Sequence, residues 1–254
     1  MHDRRLSLED FFHHALYSPV RWPWKSVRLE RSSLLDGRER CTSPNVAIAE
    51  LFHENSKLFP QMLDELAFRH LDLEALRRRA VEARATALQA HGVDELDATS
   101  PWVRVIRRSA EVVPVGLLYA VEVRIATVDS LAVHEPISNG VRVVKRLAAA
   151  DRARLQTATG FGPHDCDPAS GTLFVVGAFI RNALLYGSRG YRRTLLEAGQ
   201  VAQHIKAAAE VEGLGLVEAF EFIDRDVDDV LELDGIEHGS LIAFGVAAAG
   251  ADER

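Results

Sequence analysis

Tyr186, Arg189, Tyr191, Arg192, Arg193 and Glu197 fall within one short run, LLYGSRGYRRTLLEAGQ, from Leu184 to Gln200. Tyr186 carries a phenol that can give or take a proton, and a guanidinium brought close by Arg189 or Arg192 favours the phenolate. The same tyrosine can equally pack its ring and satisfy its hydroxyl at a helix start. Arg189, Arg192 and Arg193 present forked donors suited to a phosphate or a peptide carboxylate, although a charge run of this kind also suits a solvated face. Glu197 follows Arg193 by four residues, so an ordinary helical ion pair worth about 0.2–0.5 kcal/mol accounts for both.

Three further stretches offer chemistry. Gly213, Leu214 and Gly215 expose backbone N–H groups with little side chain in the way, or else stop a helix with a positive φ. His164, Asp165, Cys166 and Asp167 are adjacent loop residues, which rarely converge on one ion without ligands from elsewhere, so no metal site is expected. Asp224, Asp226, Asp228 and Asp229 suit the positive end of a helix.

The elements that would position these groups follow from periodicity. Residues 5–16, 45–59 and 71–92 have helical spacing, and residues 18–44 between them lack a sustained period. Residues 115–128 and 140–147 read as strands, residues 148–159 as a helix and residues 161–171 as a loop. TLFVVGAFI reads as a buried strand leading into a helix that ends near Gly213. LVEAFEFID, a short helix stopped at Gly235, and SLIAFGVAA complete the chain. Leu195, Ala198, Ala202, Ile205 and Ala209 share one face of the long helix, which suits core or a dimer seam. The class is α+β, with helices packed on a sheet.

Composition narrows the function. The chain has 254 residues, 47% of them hydrophobic, with 30 Lys and Arg against 37 Asp and Glu. This suits a globular fold and gives no basic excess for nucleic acid. No apolar run reaches the length of a membrane span, and residues 1–14 lack the apolar segment of a signal peptide. Cys41 and Cys166 make neither a CxxC motif nor a disulfide framework, so the cytoplasm is the expected compartment.

The stretch from Leu184 to Gly235 resembles the C-terminal half of the SagB-type dehydrogenases, a branch of the flavin-dependent nitroreductase-like proteins. Its ordered features are the Tyr-Gly-x-Arg-Gly-Tyr-Arg turn, Leu-Leu-Glu-Ala-Gly, an Ala-Gln helix, Gly-Leu-Gly and an Asp-rich helix ending near Asp-Gly. Upstream, FHENSKL and VPVGLLYAVEV are similar to an early segment and to the strand entry of that family. The likeness runs from about His53 to the C-terminus.

The resemblance implies a nitroreductase-like fold with a mixed central sheet flanked by helices over residues 61–254, preceded by an N-terminal extension over residues 1–60. It implies FMN, held by Arg78, Arg79, Gly116 and Gly213–Gly215, and two-electron oxidation of thiazoline or oxazoline rings to azoles in a ribosomally made peptide. Tyr186 is then the catalytic candidate, and Arg189, Tyr191 and Arg192 contact substrate or phosphate. The expected partners are an azoline-bearing precursor peptide and a second subunit, identical or from the same biosynthetic machinery, with no nucleic acid and no membrane.

The sequence also departs from that pattern. A Lys-Tyr pair is expected where Leu185 and Tyr186 stand, and leucine cannot take a proton. The phosphate motif is reduced to Arg78, Arg79, Ala80, Val81 and Glu82, and Arg107–Ser109, read as lying ahead of a strand and not on a helix, is a weak substitute. At the strand entry Pro114 and Ala120 replace the expected serine and proline, while Gly116, Tyr119 and Glu122 remain. Two other readings follow: a subunit that has lost its flavin and pairs with an active partner or holds the peptide, and a flavin oxidoreductase acting on a small molecule.

Overall fold

The computed structural model describes residues 72, 75, 96–97, 99–110, 119–135, 140–162 and 164–248. The expected helices over residues 5–16, 45–59 and 71–92, the extension over residues 1–60, and Arg78, Arg79 and Gly116 lie outside these residues or almost wholly so.

The chain runs α1 (Pro101–Ala110), β1 (Val121–Ala126), β2 (Ser130–Glu135), β3 (Gly140–Arg146), α2 (Ala149–Thr159), β4 (Thr172–Ala178), α3 (Phe179–Tyr186), α4 (Arg189–Val211), β5 (Leu216–Ala219), α5 (Asp224–Leu231) and β6 (His238–Val246). The strands form one sheet in the order β3-β2-β1-β4-β6-β5. Every described pairing is antiparallel, so the α+β class stands but the sheet is not the mixed one expected.

Two apolar layers bury the sheet. On one face Trp102, Val105 and Ile106 of α1 join Ala202, Ile205 and Ala209 of α4 over Val123, Ile125, Val175 and Phe244. On the other, Leu155 of α2 and Val227, Val230 and Leu231 of α5 cover Leu131, Phe174 and Val176. β4 lies at the centre between β1 and β6, which is why its apolar run is unbroken and buried on both sides.

Local pattern misleads at four places, each for a packing reason. PWVRVIRRSA is rich in β-branched residues yet is helix α1, because Trp102, Ile106 and Ser109 turn one face onto the core. SLAVHE is a strand, β2, that a short apolar run does not announce. TLFVVGAFI divides after Ala178: Gly177 of β4 and Gly239 of β6 are register partners, and the Phe179 ring lies where their side chains would stand. A Cβ on Gly177 would meet that ring at 3.0 Å. Finally, α5 stops at Leu231 with Glu232 left-handed, ahead of Gly235.

Side chains also close the C-terminal end of α5. Arg124 of β1 donates to the Leu231 carbonyl and Lys145 of β3 donates to that of Val230 at 3.2 Å, placing two cations at the negative end of the helix. At its start, Asp226 and Asp229 share Arg154 of α2. Asp228 instead turns inward, where its Oδ1 accepts from the N–H and the hydroxyl of Ser240, at 2.8 and 2.6 Å. Burial raises the Asp228 carboxyl above its ordinary value against the pull of those bonds.

α3 and α4 cross most closely at Gly190. A Cβ there would stand 2.4 Å from backbone atoms of Asn182 and Ala183. Gly190→Ala is therefore expected to push the helices apart at a cost of about 1–3 kcal/mol. A urea melt with an unchanged midpoint would show that the crossing tolerates the methyl group.

Candidate functional site

The run that begins at Leu184 folds as the end of α3, a two-residue turn and the first half of α4. Gly187, with φ 57 and ψ −143, takes a backbone conformation open to glycine almost alone, and its N–H bonds back to the Ala183 carbonyl at 2.8 Å. Tyr186 thus sits at the last position of α3, half-buried, facing the helix that returns.

Arg193 reaches Tyr186, its guanidinium carbon 4.6 Å from the ring centroid. Arg193 Nε donates to Glu197 Oε1 at 2.8 Å, the helical pair read from the spacing. Asn182, only 2% exposed, donates to Glu197 Oε2 and to the Thr194 hydroxyl, both at 3.1 Å. Sequence reading misses Asn182, because a lone asparagine in an apolar stretch carries no periodic signal.

Leu185 is fully buried. The position that the resemblance reserves for lysine therefore points into packed core. Leu185→Lys is expected to cost about 2–3 kcal/mol and to add no rate. A gain in turnover from this substitution would show that the position does open onto the site.

One residue before Asn182, Arg181 turns the opposite way. It is 9% exposed and donates to the Tyr119 carbonyl and to Glu122 Oε1. Arg124 reaches the other carboxylate oxygen at 3.4 Å. Burial alone would push the Glu122 carboxyl up, but Arg181, then Arg124 and His238, outweigh it and hold it at about 2. Burial pushes His238 below the ordinary imidazole value, against the pull of Glu122. Tyr119 has φ 51, a left-handed backbone rarely adopted by a bulky residue. Tyr119 and Glu122 belong to the strand-entry motif, so Arg181 ties that motif to the helix that ends in Tyr186.

The remaining expected site residues divide between the two ends of α4. Arg189 is exposed, Arg192 is half-buried, and Tyr191 stacks on Phe179 with ring centroids 4.7 Å apart. No acidic residue occupies the first turn of α4, so its positive end and two arginines suit an anion. Gly213, Leu214 and Gly215 lie past the far end of the helix, roughly 35 Å away at 1.5 Å per residue. There Gly213 N–H bonds to Glu210 and Leu214 N–H to Ala209, with Gly213 at φ 71, which is a helix cap. Two of the three amides expected to face a cofactor are thus engaged in that cap, and Gly215 accepts from Ala247 as β5 begins.

Arg107–Ser109 lies within the last turn of α1 and not in a stretch ahead of a strand. Arg108 pairs with Glu212 at 2.8 Å and the Ser109 hydroxyl bonds to Ile106, so two members of this stretch hold structure. Asp234, Glu237 and His238 bring potential ligand atoms within 4.8 Å of one another. Asp234 Oδ1, however, accepts from the N–H groups of Ile236, Glu237 and His238, and building that turn accounts for it. Cys166 is a free, buried thiol, pushed up to about 11 by burial and by Asp165. No described helix is long and apolar enough to cross a membrane.

No protein-family model matches the chain. A candidate nitroreductase of Methanocaldococcus jannaschii is 33% identical over 61 residues, which is 24% of this chain and 31% of that protein. The crystal structure of a candidate nitroreductase from Anabaena variabilis superposes with a TM-score of 0.57 and 19% identity over 78% of this chain and 46% of its own. A chain of the E. coli microcin synthetase McbBCD complex, solved with truncated pro-MccB17 bound, superposes more loosely, at 0.48 with 19% identity, over 63% of this chain and 68% of its own. The chain thus spans about a third of the curated relative and just under half of the Anabaena protein. The fold is nitroreductase-like.

Proposed function

We propose that the protein is an FMN-dependent oxidoreductase of the SagB type, converting thiazoline or oxazoline rings of a ribosomally made peptide to azoles. The observation that carries this reading is the Arg181 junction, where Tyr119 and Glu122 of one resembling stretch meet the helix that ends in Tyr186 of the other. The nitroreductase-like fold agrees with it.

The described donors fit the cofactor unevenly. Arg189 and Arg192 at the positive end of α4 suit its phosphate or a peptide carboxylate, whereas the Gly213 and Leu214 amides are engaged. FMN when bound accepts the hydride from the ring. The ring gives up that hydride and the proton of the neighbouring carbon, two electrons and two hydrogens in all, and Tyr186 relays this proton to solvent, releasing its own hydroxyl hydrogen as it receives it. Tyr191, 40% exposed and backed by Phe179, offers a flat surface in the first turn of α4. Gly213–Gly215, too far from Tyr186 in one chain, would join such a site only from a second chain, identical or another biosynthetic subunit.

The test is mass spectrometry of an azoline peptide incubated with the FMN-supplemented protein. Loss of two hydrogens per ring is the expected result, and an unchanged peptide counts against the reading. The buried Leu185 favours a second reading, in which the chain binds the peptide while a partner carries the flavin. In that case conversion appears only when the partner is added.

A further inference from the structure

We infer that Glu197 is a positioning residue that fixes the Tyr186 ring through Arg193, an inference that rests on the assignment of Tyr186 to the site. An exposed i,i+4 pair swings with its two side chains and contributes little. Glu197 differs because its side chain is only 14% exposed and both carboxylate oxygens are taken. Oε1 receives Arg193 at 2.8 Å and Oε2 receives Asn182 at 3.1 Å. Asn182 is buried in α3 and is held on a second side by Thr194, whose hydroxyl is bonded to the Gly190 carbonyl.

The contacts close a circuit. Asn182 on α3 holds Glu197 on α4, Glu197 holds Arg193 one turn earlier, and Arg193 lies over the ring of Tyr186, back on α3 and one turn beyond Asn182. Arg193 is itself 46% exposed, so without Glu197 its guanidinium is released to solvent. With it, one face of the Tyr186 ring is covered and the phenol keeps one direction in which to present its oxygen. The glutamate of LLEAG thus acts on the tyrosine of LLYG, with the close crossing at Gly190 bringing the two helices together.

The test uses the full chain with 3-fluorotyrosine incorporated, the Tyr186 signal being assigned by its absence in Tyr186→Phe. Glu197→Ala and Arg193→Ala are expected to move the Tyr186 fluorine resonance to the same place, and the double variant to move it no further. Glu197→Gln, which keeps an acceptor for Arg193, returns it most of the way. Azoline turnover falls roughly 10- to 100-fold in Glu197→Ala, with KM within about twofold. An unmoved Tyr186 resonance in a folded Glu197→Ala protein overturns the inference, even if its melting temperature drops. Absence of turnover in the wild type overturns the proposed function alone, because the resonance still decides the role of Glu197.

Discussion

Arg181→Ala is expected to lower folding stability by about 3–5 kcal/mol, because it leaves the buried Glu122 carboxylate without its principal partner. Arg124, at 3.4 Å, compensates only in part. Arg181→Lys keeps the charge but not the fork that reaches both Glu122 and the Tyr119 carbonyl, so it should fall between. The pH dependence gives a second signature. Glu122 is held at about 2 against an ordinary 4.5, so its contribution is complete above pH 4.5 and is lost as the pH falls from there towards 2. The amount is about 3 kcal/mol. His238, pushed below its ordinary 6.5, adds to the acid loss in the same direction, since the unfolded chain takes up its proton first. In Arg181→Ala the stability lost between pH 4.5 and 2 should shrink. Denaturant melts across that range measure both effects, and a variant within about 1 kcal/mol of the wild type at neutral pH would show that the junction is not the staple described.

Tyr186→Phe is expected to reduce azoline oxidation by about 10²- to 10⁴-fold, the usual contribution of a positioned acid or base. Its KM for the peptide and its FMN content should change little, because phenylalanine keeps the ring beneath Arg193. The fold should survive the substitution, since the ring and its contact with Arg193 are kept. Unchanged turnover with full flavin would retain the flavin chemistry and remove Tyr186 from it.

The parts of this molecule legible in its sequence are those governed by local periodicity. The long helix through Ala198, Ala202, Ile205 and Ala209 is visible at helical spacing, and each of these residues is buried against the sheet. Leu195, read onto the same face, sits at the rim at 39% exposed, where α4 leaves the core. The Arg193–Glu197 pair also follows from spacing alone, and the sequence reading of Gly213 as a helix stop agrees with its cap. The Arg181 junction depends on chain crossing, because its partners are 59 and 62 residues away in sequence. Asn182 escapes notice for another reason: its partners are only 12 and 15 residues away, but a lone polar residue in an apolar stretch carries no periodic signal. Arg107–Ser109, read as lying ahead of a strand and not on a helix, closes helix α1, whose helical face shows only in the burial of Trp102 and Ile106.

The separation of Tyr186 from Gly213–Gly215 along α4 changes how the resemblance is read. A motif series continuous in sequence need not be one site in space, and here a helix of 23 residues lies between its parts. Under the proposed function, the part of the expected site that one chain brings together is the α3–α4 turn and the strand entry that Arg181 fastens to it.

The central claim, that this fold houses a flavin-dependent oxidation of an azoline peptide, is tested most directly by anaerobic titration. The purified protein, supplemented with FMN and freed of excess, is expected to be yellow and to lose its visible flavin absorption on addition of an azoline-bearing peptide, with azole formed in equal amount. A colourless protein that takes up no added FMN, or a bound flavin that the peptide leaves oxidised, would contradict the account.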